Sequence, residues 1–238
     1  MADTARLAVL IDADNTTAGV TTEMLAEVTQ FGTPTIKRAY GDWTTPQLAS
    51  WKDELLRHAI QPMQQFAYTR GKNATDSALI IDAMDLLYAG NVEGFVIVSS
   101  DSDFTRLATR LRESAKTVYG IGRRETPEAF VQACDRFIYL DLLGGAQPRA
   151  GAKPRPSDLK DLLRAAIVGT AKVDGWALLS SIGSYLGARN PGFDVRDYGH
   201  AKLGELVRAQ DYVEVREVSL PSGLSQLQVR LPRAGRGR

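Results

Sequence analysis

Between Arg6 and Asp141, short apolar runs of strand length alternate with stretches in which apolar residues recur every three to four positions. The runs R-L-A-V-L-I-D (6–12), T-P-T-I-K-R-A-Y (33–40), F-V-I-V-S-S (95–100), K-T-V-Y-G-I-G (116–122) and R-F-I-Y-L-D (136–141) predict strands, with Q-P-M-Q-Q-F-A-Y (61–68) a weaker sixth. Helical spacing covers 21–31, 46–59, 75–89, 103–115 and 127–133. Strands that are apolar on both faces and separated by helices predict an α/β fold: a parallel sheet with helices on both faces. The stretch G-G-A-Q-P-R-A-G-A-K-P-R-P-S (144–157) has no apolar period and reads as a linker. Beyond it the pattern changes. Short amphipathic helices are predicted over 159–168, 176–186 and 201–209, then alternating runs at 212–218 and 225–231 joined by a P-S-G turn. Three helices and a hairpin predict a small winged helix-turn-helix domain. The expected division is 1–143 for the α/β domain, 144–156 for the linker, 157–232 for the winged helix and 233–238 for a basic tail.

Composition narrows the class. The chain has 238 residues, enough for a main core and a second module, and 44% of them are hydrophobic. No apolar run approaches the ~18 residues of a membrane span. The apolar run before Asp12 is too short for a signal peptide, and the single cysteine, Cys134, excludes an internal disulfide, so a cytoplasmic protein is expected. The net charge of +1 conceals an asymmetry. Residues 1–145 carry 14 Lys+Arg against 19 Asp+Glu, net −5, and residues 146–238 carry 15 against 9, net +6. A basic second half points toward nucleic-acid contact.

The chemistry gathers where strands end. In open parallel sheets the site lies outside the carboxyl ends of the strands. The first strand runs into I-D-A-D-N, with Asp12, Asp14 and Asn15, and the fourth into S-S-D-S-D, with Asp101 and Asp103. Asp76 stands just inside the start of a helix. Carboxylates brought together repel, and a divalent cation relieves the repulsion; oxygen-only ligation selects Mg²⁺ or Mn²⁺. Such ions serve phosphodiester displacement. Each acid taken alone also has a bland reading. Asp103 or Ser102 fits a helix N-cap, with Asp103 the expected one, and Asp76 fits a first-turn acid favoured by the helix dipole. Asp82 and Asp85, three apart, read as a solvated helix face. Asp12, after four apolar residues, is the hardest to explain as structural.

V-L-I-D-A-D-N, R-G-K-N-A-T-D and V-I-V-S-S-D-S-D-F-T-R-L, in that order over 6–141, resemble the NYN family of PIN-like ribonucleases. The resemblance implies a PIN-like fold and a metal-dependent endoribonuclease with Asp12, Asp76, Asp101 and Asp103 as catalytic metal ligands. It makes Asn15 a helper beside Asp12 and Lys72 a phosphate contact. Ser100, beside Asp101, is a further candidate substrate contact. Relatives often carry glycine or glutamate at Asp14 and glycine at Ser100. The segment N-P-G-F-D-V-R-D-Y-G-H-A-K-L-G-E-L-V-R-A (190–209), after W-A-L-L-S-S-I-G-S-Y-L, resembles the OST-HTH or LOTUS domain over about 156–232. That resemblance implies binding of RNA or of a protein partner.

Lys202 and Arg208, with Arg216, Arg230 and the Arg-rich tail, are candidates to track phosphates. Phe193 and Tyr198 read as core or loop anchors before base-stacking groups, and Trp43, Trp51 and Trp176 as packing residues. His200 lacks a second histidine at metal-ligand spacing. Sequence leaves open whether the chain forms a homodimer. Two rival classes remain. I-D-A-D-N-T can be scanned as the D-x-D-x-T motif of a haloacid-dehalogenase-type phosphatase, with Asp12 as nucleophile and Asp14 as acid/base. The other is a non-catalytic RNA-binding adaptor, against which the acidic set argues.

Overall fold

The computed structural model describes residues 4–66, 74–145, 156–219 and 225–232. The chain falls into two compact units, 1–149 and 150–238. In the first, the chain runs β1 (Arg6–Asp12), α1 (Thr21–Val28), β2 (Thr33–Gly41), α2 (Trp51–Arg57), β3 (Gln61–Gln64), α3 (Ala74–Ala89), β4 (Gly94–Val98), α4 (Thr105–Glu113), β5 (Thr117–Gly122), α5 (Glu128–Ala133) and β6 (Arg136–Tyr139).

The six strands form a sheet of order β3-β2-β1-β4-β5-β6, with every pairing parallel. This is the PIN-like α/β architecture. The order reverses between β1 and β4, the switch point at which doubly wound sheets place ligands.

The strand pleat explains why the central strands are apolar throughout. On β1, Leu7, Val9 and Ile11 pack with Met24 and Val28 of α1, while Ala8 and Leu10 pack on the other face with Leu79 of α3 and Leu107 of α4. Alternate side chains thus feed two cores, and the polar face of a half-exposed strand never appears. All five residues of β4 are buried in the same way. Each such Leu, Ile or Val contributes about 1.5–3 kcal/mol by burial.

Several elements are shorter than the pattern predicts. The 46–59 helix divides into one 3-10 turn, Pro46–Leu48, and α2, because Pro46 opens the turn and Trp51 buries against the β1 face. The expected solvated face at 82–85 needs correction at Asp82. Its carboxylate is largely shielded from solvent, forms an ion pair with the half-buried Arg38 and accepts a hydrogen bond from the Tyr40 hydroxyl, tying α3 to β2. Burial, with the Asp82 carboxylate beside it, raises the Tyr40 phenol above its ordinary range. Asp85 is exposed as expected.

The second unit contains α6 (Pro156–Thr170), β7 (Ala177–Leu178), α7 (Leu179–Arg189), α8 (Leu203–Arg208), β8 (Glu214–Ser219) and β9 (Ser225–Arg230). Where the pattern predicts a two-stranded hairpin, β7 adds a third antiparallel strand, giving the order β7-β9-β8. Trp176 and Ala177 lie within the predicted 176–186 helix, and a two-residue strand is too short to show a period. Leu163, Ile167, Ile182, Leu206 and Val229 close the core, with Phe193 and Tyr198 packed against it. Among the described residues, no helix is long and apolar enough to cross a membrane. Most of the linker, the P-S-G turn and the basic tail lie outside the described residues.

Candidate active site

The site is built on the carboxyl ends of β1 and β4. Asp12, the last residue of β1, is fully buried. A buried carboxylate is tolerated when donors surround it. Asn15 Nδ2 donates to its Oδ2 at 2.7 Å, the Asn15 amide to its Oδ1 at 3.3 Å, and Ser99 Oγ to its Oδ2 at 2.7 Å. Burial raises the Asp12 pKa, and the Asn15 and Ser99 hydrogen bonds pull it back only in part.

Ser99 follows β4 directly and joins the two strand ends. While its hydroxyl donates to Asp12, its oxygen accepts from the Asp101 amide at 3.1 Å. Asp101 in turn accepts from the Asp103 amide at 2.9 Å and is the N-cap of the short 3-10 turn, Ser102–Phe104, that leads into α4. This corrects the expectation that Asp103 is the cap. With φ −86° and ψ 132°, Asp101 holds the extended backbone of a capping position.

Asp76 arrives from a third segment, in the first turn of α3, and is only 9% exposed. Carboxylate oxygens of Asp76, Asp101 and Asp103 lie within 4.8 Å of one another. Asp12 stands outside that trio, yet its charge still acts on Asp76. Burial first, then the charges of Asp12, Asp101, Asp103 and Asp14, push the Asp76 carboxyl up to about 6. Asp14 accepts from Thr75 Oγ1 at 2.9 Å, which ties the β1 loop to the start of α3.

Two glycines make room for this arrangement. A Cβ on Gly122, at the end of β5, would come within 2.6 Å of the Ser99 carbonyl. One on Gly41, at the end of β2, would meet Leu48 at 2.5 Å and the Asp14 carboxylate at 3.3 Å.

The donor set is all oxygen and strongly negative, and Asp76 resists full ionisation where it stands. That combination suits a hard divalent cation of the Mg²⁺ or Mn²⁺ class. Of the candidates read from sequence, Ser100 turns its hydroxyl oxygen to the Arg123 amide at 2.8 Å. Lys72 lies outside the described residues. Lys202 precedes α8 and Arg208 ends it, both exposed in the second unit, with Arg208 Nη2 3.9 Å from Glu217. Arg216 and Arg230 stack on Trp176, their guanidinium carbons 4.0 and 4.5 Å from the ring centre, and also meet Asp174 and Glu214.

Sequence reasoning missed Ser99 and Arg123. The Arg123 Nη2 donates to the Asn15 carbonyl at 3.2 Å, bridging the ends of β1 and β5. The strand-end rule that singles out Asp12 and Asp101 applies equally to G-I-G-R-R, where β5 ends at Gly122 and Arg123 follows, and a cation at that rim is the signal.

The NYN domain model matches residues 6–141, and the OST-HTH/LOTUS domain model matches residues 154–224. Among solved structures, a protein of unknown function from Vibrio parahaemolyticus is similar in fold at 20% identity, with TM-score 0.51, covering 59% of this chain and 96% of that one. A fragment, residues 175–257, of a Chromobacterium violaceum protein is 33% identical over 38% of this chain and 95% of its own length, with TM-score 0.29. An uncharacterized protein from Nitrosomonas europaea is 28% identical over 38% of this chain and 96% of that chain, with TM-score 0.31. No curated protein matches.

Proposed function

The chain belongs to the NYN domain family, and on that premise we propose that it is a metal-dependent endoribonuclease that hydrolyses RNA phosphodiester bonds. The observation that carries this reading is the convergence of Asp76, Asp101 and Asp103 at the sheet's switch point. Residues 1–143 form the nuclease module and residues 157–232 the module that recognises RNA or a partner, joined by the 144–156 linker and followed by the basic tail. The OST-HTH/LOTUS match supports RNA binding by the second module.

Asp76, Asp101 and Asp103 would hold Mg²⁺ or Mn²⁺, which when bound polarises a phosphoryl oxygen and makes water acidic enough to attack near neutral pH. The chain's own work is positioning. Asp12, locked by Asn15 and Ser99, fixes the Ser99 hydroxyl, and Ser99 fixes the Asp101 amide. Asp101 then orders the Asp103 amide. Asp101 and Asp103 are thereby held by hydrogen bonds before substrate arrives, which limits the reorganisation left for the reaction.

The phosphatase reading fares worse on the same geometry. A nucleophilic Asp12 needs a free, accessible oxygen, whereas both of its oxygens accept hydrogen bonds and the residue is fully buried.

The test is incubation of wild type and Asp101→Asn with RNA and DNA substrates, with manganese and with chelator. RNA cleavage that needs the metal and is lost in Asp101→Asn, while the thermal melt stays cooperative, supports the proposal. Equal activity of variant and wild type would sink it.

A further inference from the structure

Asn15 faces two tasks. Its side chain holds Asp12, while its carbonyl holds Arg123, and the same residue lines a cavity of about 620 Å³. The walls come from the loop after β1, the loop after β2 with its 3-10 turn, and Arg123 after β5, so the cavity opens at the carboxyl rim that also carries the acidic trio. None of Asp76, Asp101 and Asp103 lines it. Its size lies within the ~300–1,000 Å³ of small-ligand sites.

The lining chemistry selects among ligands. Hydroxyl and amide groups of Thr17, Thr45 and Gln47 stand beside Leu48 and Ala18, a mixture that suits a flat heterocycle with polar edges and its sugar. Asp14 and Asp42 also border the cavity and disfavour an anion deep inside. Both are already engaged, Asp14 by Thr75 and Asp42 by the Thr44 hydroxyl at 2.6 Å and by Gln64 Nε2 at 2.9 Å. Arg123 is the cation of the lining, is exposed, and donates to a neutral carbonyl. Its guanidinium keeps donors for a phosphate.

We infer that this cavity is a nucleoside subsite. It takes one base and ribose of a single-stranded RNA next to the scissile phosphate, and Arg123 grips the adjoining phosphate. The placement rests on the nuclease reading, but the site's chemistry is testable without it. Gly19 lines the cavity, its φ is not positive, and a Cβ there meets nothing within 4 Å. Gly19→Tyr therefore adds bulk at the wall without backbone strain.

The experiment titrates the four ribonucleoside 5′-monophosphates into the full chain in chelator, by calorimetry or NMR, for wild type, Arg123→Gln and Gly19→Tyr. Thermal melts check that the variants fold. Saturable binding by wild type, weakened about tenfold or more in both variants, supports the subsite, and the ranking of the four bases reads its preference. In manganese, Gly19→Tyr should raise KM for RNA about tenfold with little change in kcat. Absence of binding up to about 10 mM, or binding that neither variant alters, overturns the inference. If no RNA is cleaved under any metal condition while the monophosphates bind and both variants lose them, the nuclease reading falls and the subsite stands.

Discussion

Replacing Asp76 by asparagine removes a charge that the fold opposes. The Asp76 carboxyl is pushed up to about 6 from an ordinary 3.8, by burial and then by the charges of Asp12, Asp101, Asp103 and Asp14. The folded state therefore binds this proton more tightly than the unfolded chain does. The sign follows from linkage: the stability tied to Asp76 is fully present below pH about 3.8 and is lost as pH rises through about 6. At neutral pH and without metal, the difference corresponds to at most about 3 kcal/mol of destabilisation. Asp103 is exposed at the cluster, so solvent screens part of the repulsion and about 1–3 kcal/mol is the working figure. Asp76→Asn should then stabilise the metal-free protein by that amount at pH 7.5, raising Tm by about 2–12 °C, with the gain vanishing toward pH 4. Magnesium or manganese should shrink this gap, because wild type gains about 2.7 kcal/mol at a metal concentration 100 times Kd while the variant gains less. Thermal melts of both proteins from pH 4 to 8, in chelator and in metal, read all of this. An asparagine variant that is less stable than wild type in chelator at pH 7.5, or two stability curves that run parallel from pH 4 to 7, would refute the electrostatic account.

Other perturbations test the supports around the cluster. Ser99→Ala removes a donor from buried Asp12 and the acceptor for the Asp101 amide, and should cost about 1–3 kcal/mol in urea unfolding as well as weaken metal binding measured by calorimetry. Asp82→Ala leaves the Arg38 guanidinium and the Tyr40 hydroxyl without their shared carboxylate. A loss of about 2–3 kcal/mol is expected in the same assay, below the ~3–5 kcal/mol of a fully buried pair because both charged side chains keep some solvent contact. A chain ending at Gly145 should bind RNA more weakly and with a shallower salt dependence than the full chain, since residues 146–238 carry net +6 and residues 1–145 net −5. Filter binding across a salt series checks it, and identical slopes would show that the basic half contributes no phosphate contacts.

The alternation of strands and helices, the two-module organisation and the strand-end aspartates were legible in the sequence. Each is a local property: a pleat of period two, a helix of period 3.6 and a run of apolar residues that stops at a charge are all written in consecutive positions. Asp12 and Asp101 stood out for that reason. The NYN resemblance over 6–141, carried by the same motifs, agrees with the family match over those residues.

Tertiary structure decided what consecutive positions cannot express. The β1–β4 pairing, Ile11 against Val98, puts Ser99 within reach of Asp12, and that register joins residues 87 positions apart. Asp76 meets Asp101 and Asp103 because α3 begins at the same rim, while Asp12 stays buried beside them with its own donors. Asp82, a surface acid by spacing, becomes the partner of Arg38 and Tyr40 once α3 packs on β2. Arg123 reaches Asn15 across the sheet from β5. The sequence by itself determined which segments end in acids and which carry the core. Long-range register determined which of those acids share a site and what else borders it, because the energy of a buried charge depends on neighbours that only the packed chain supplies.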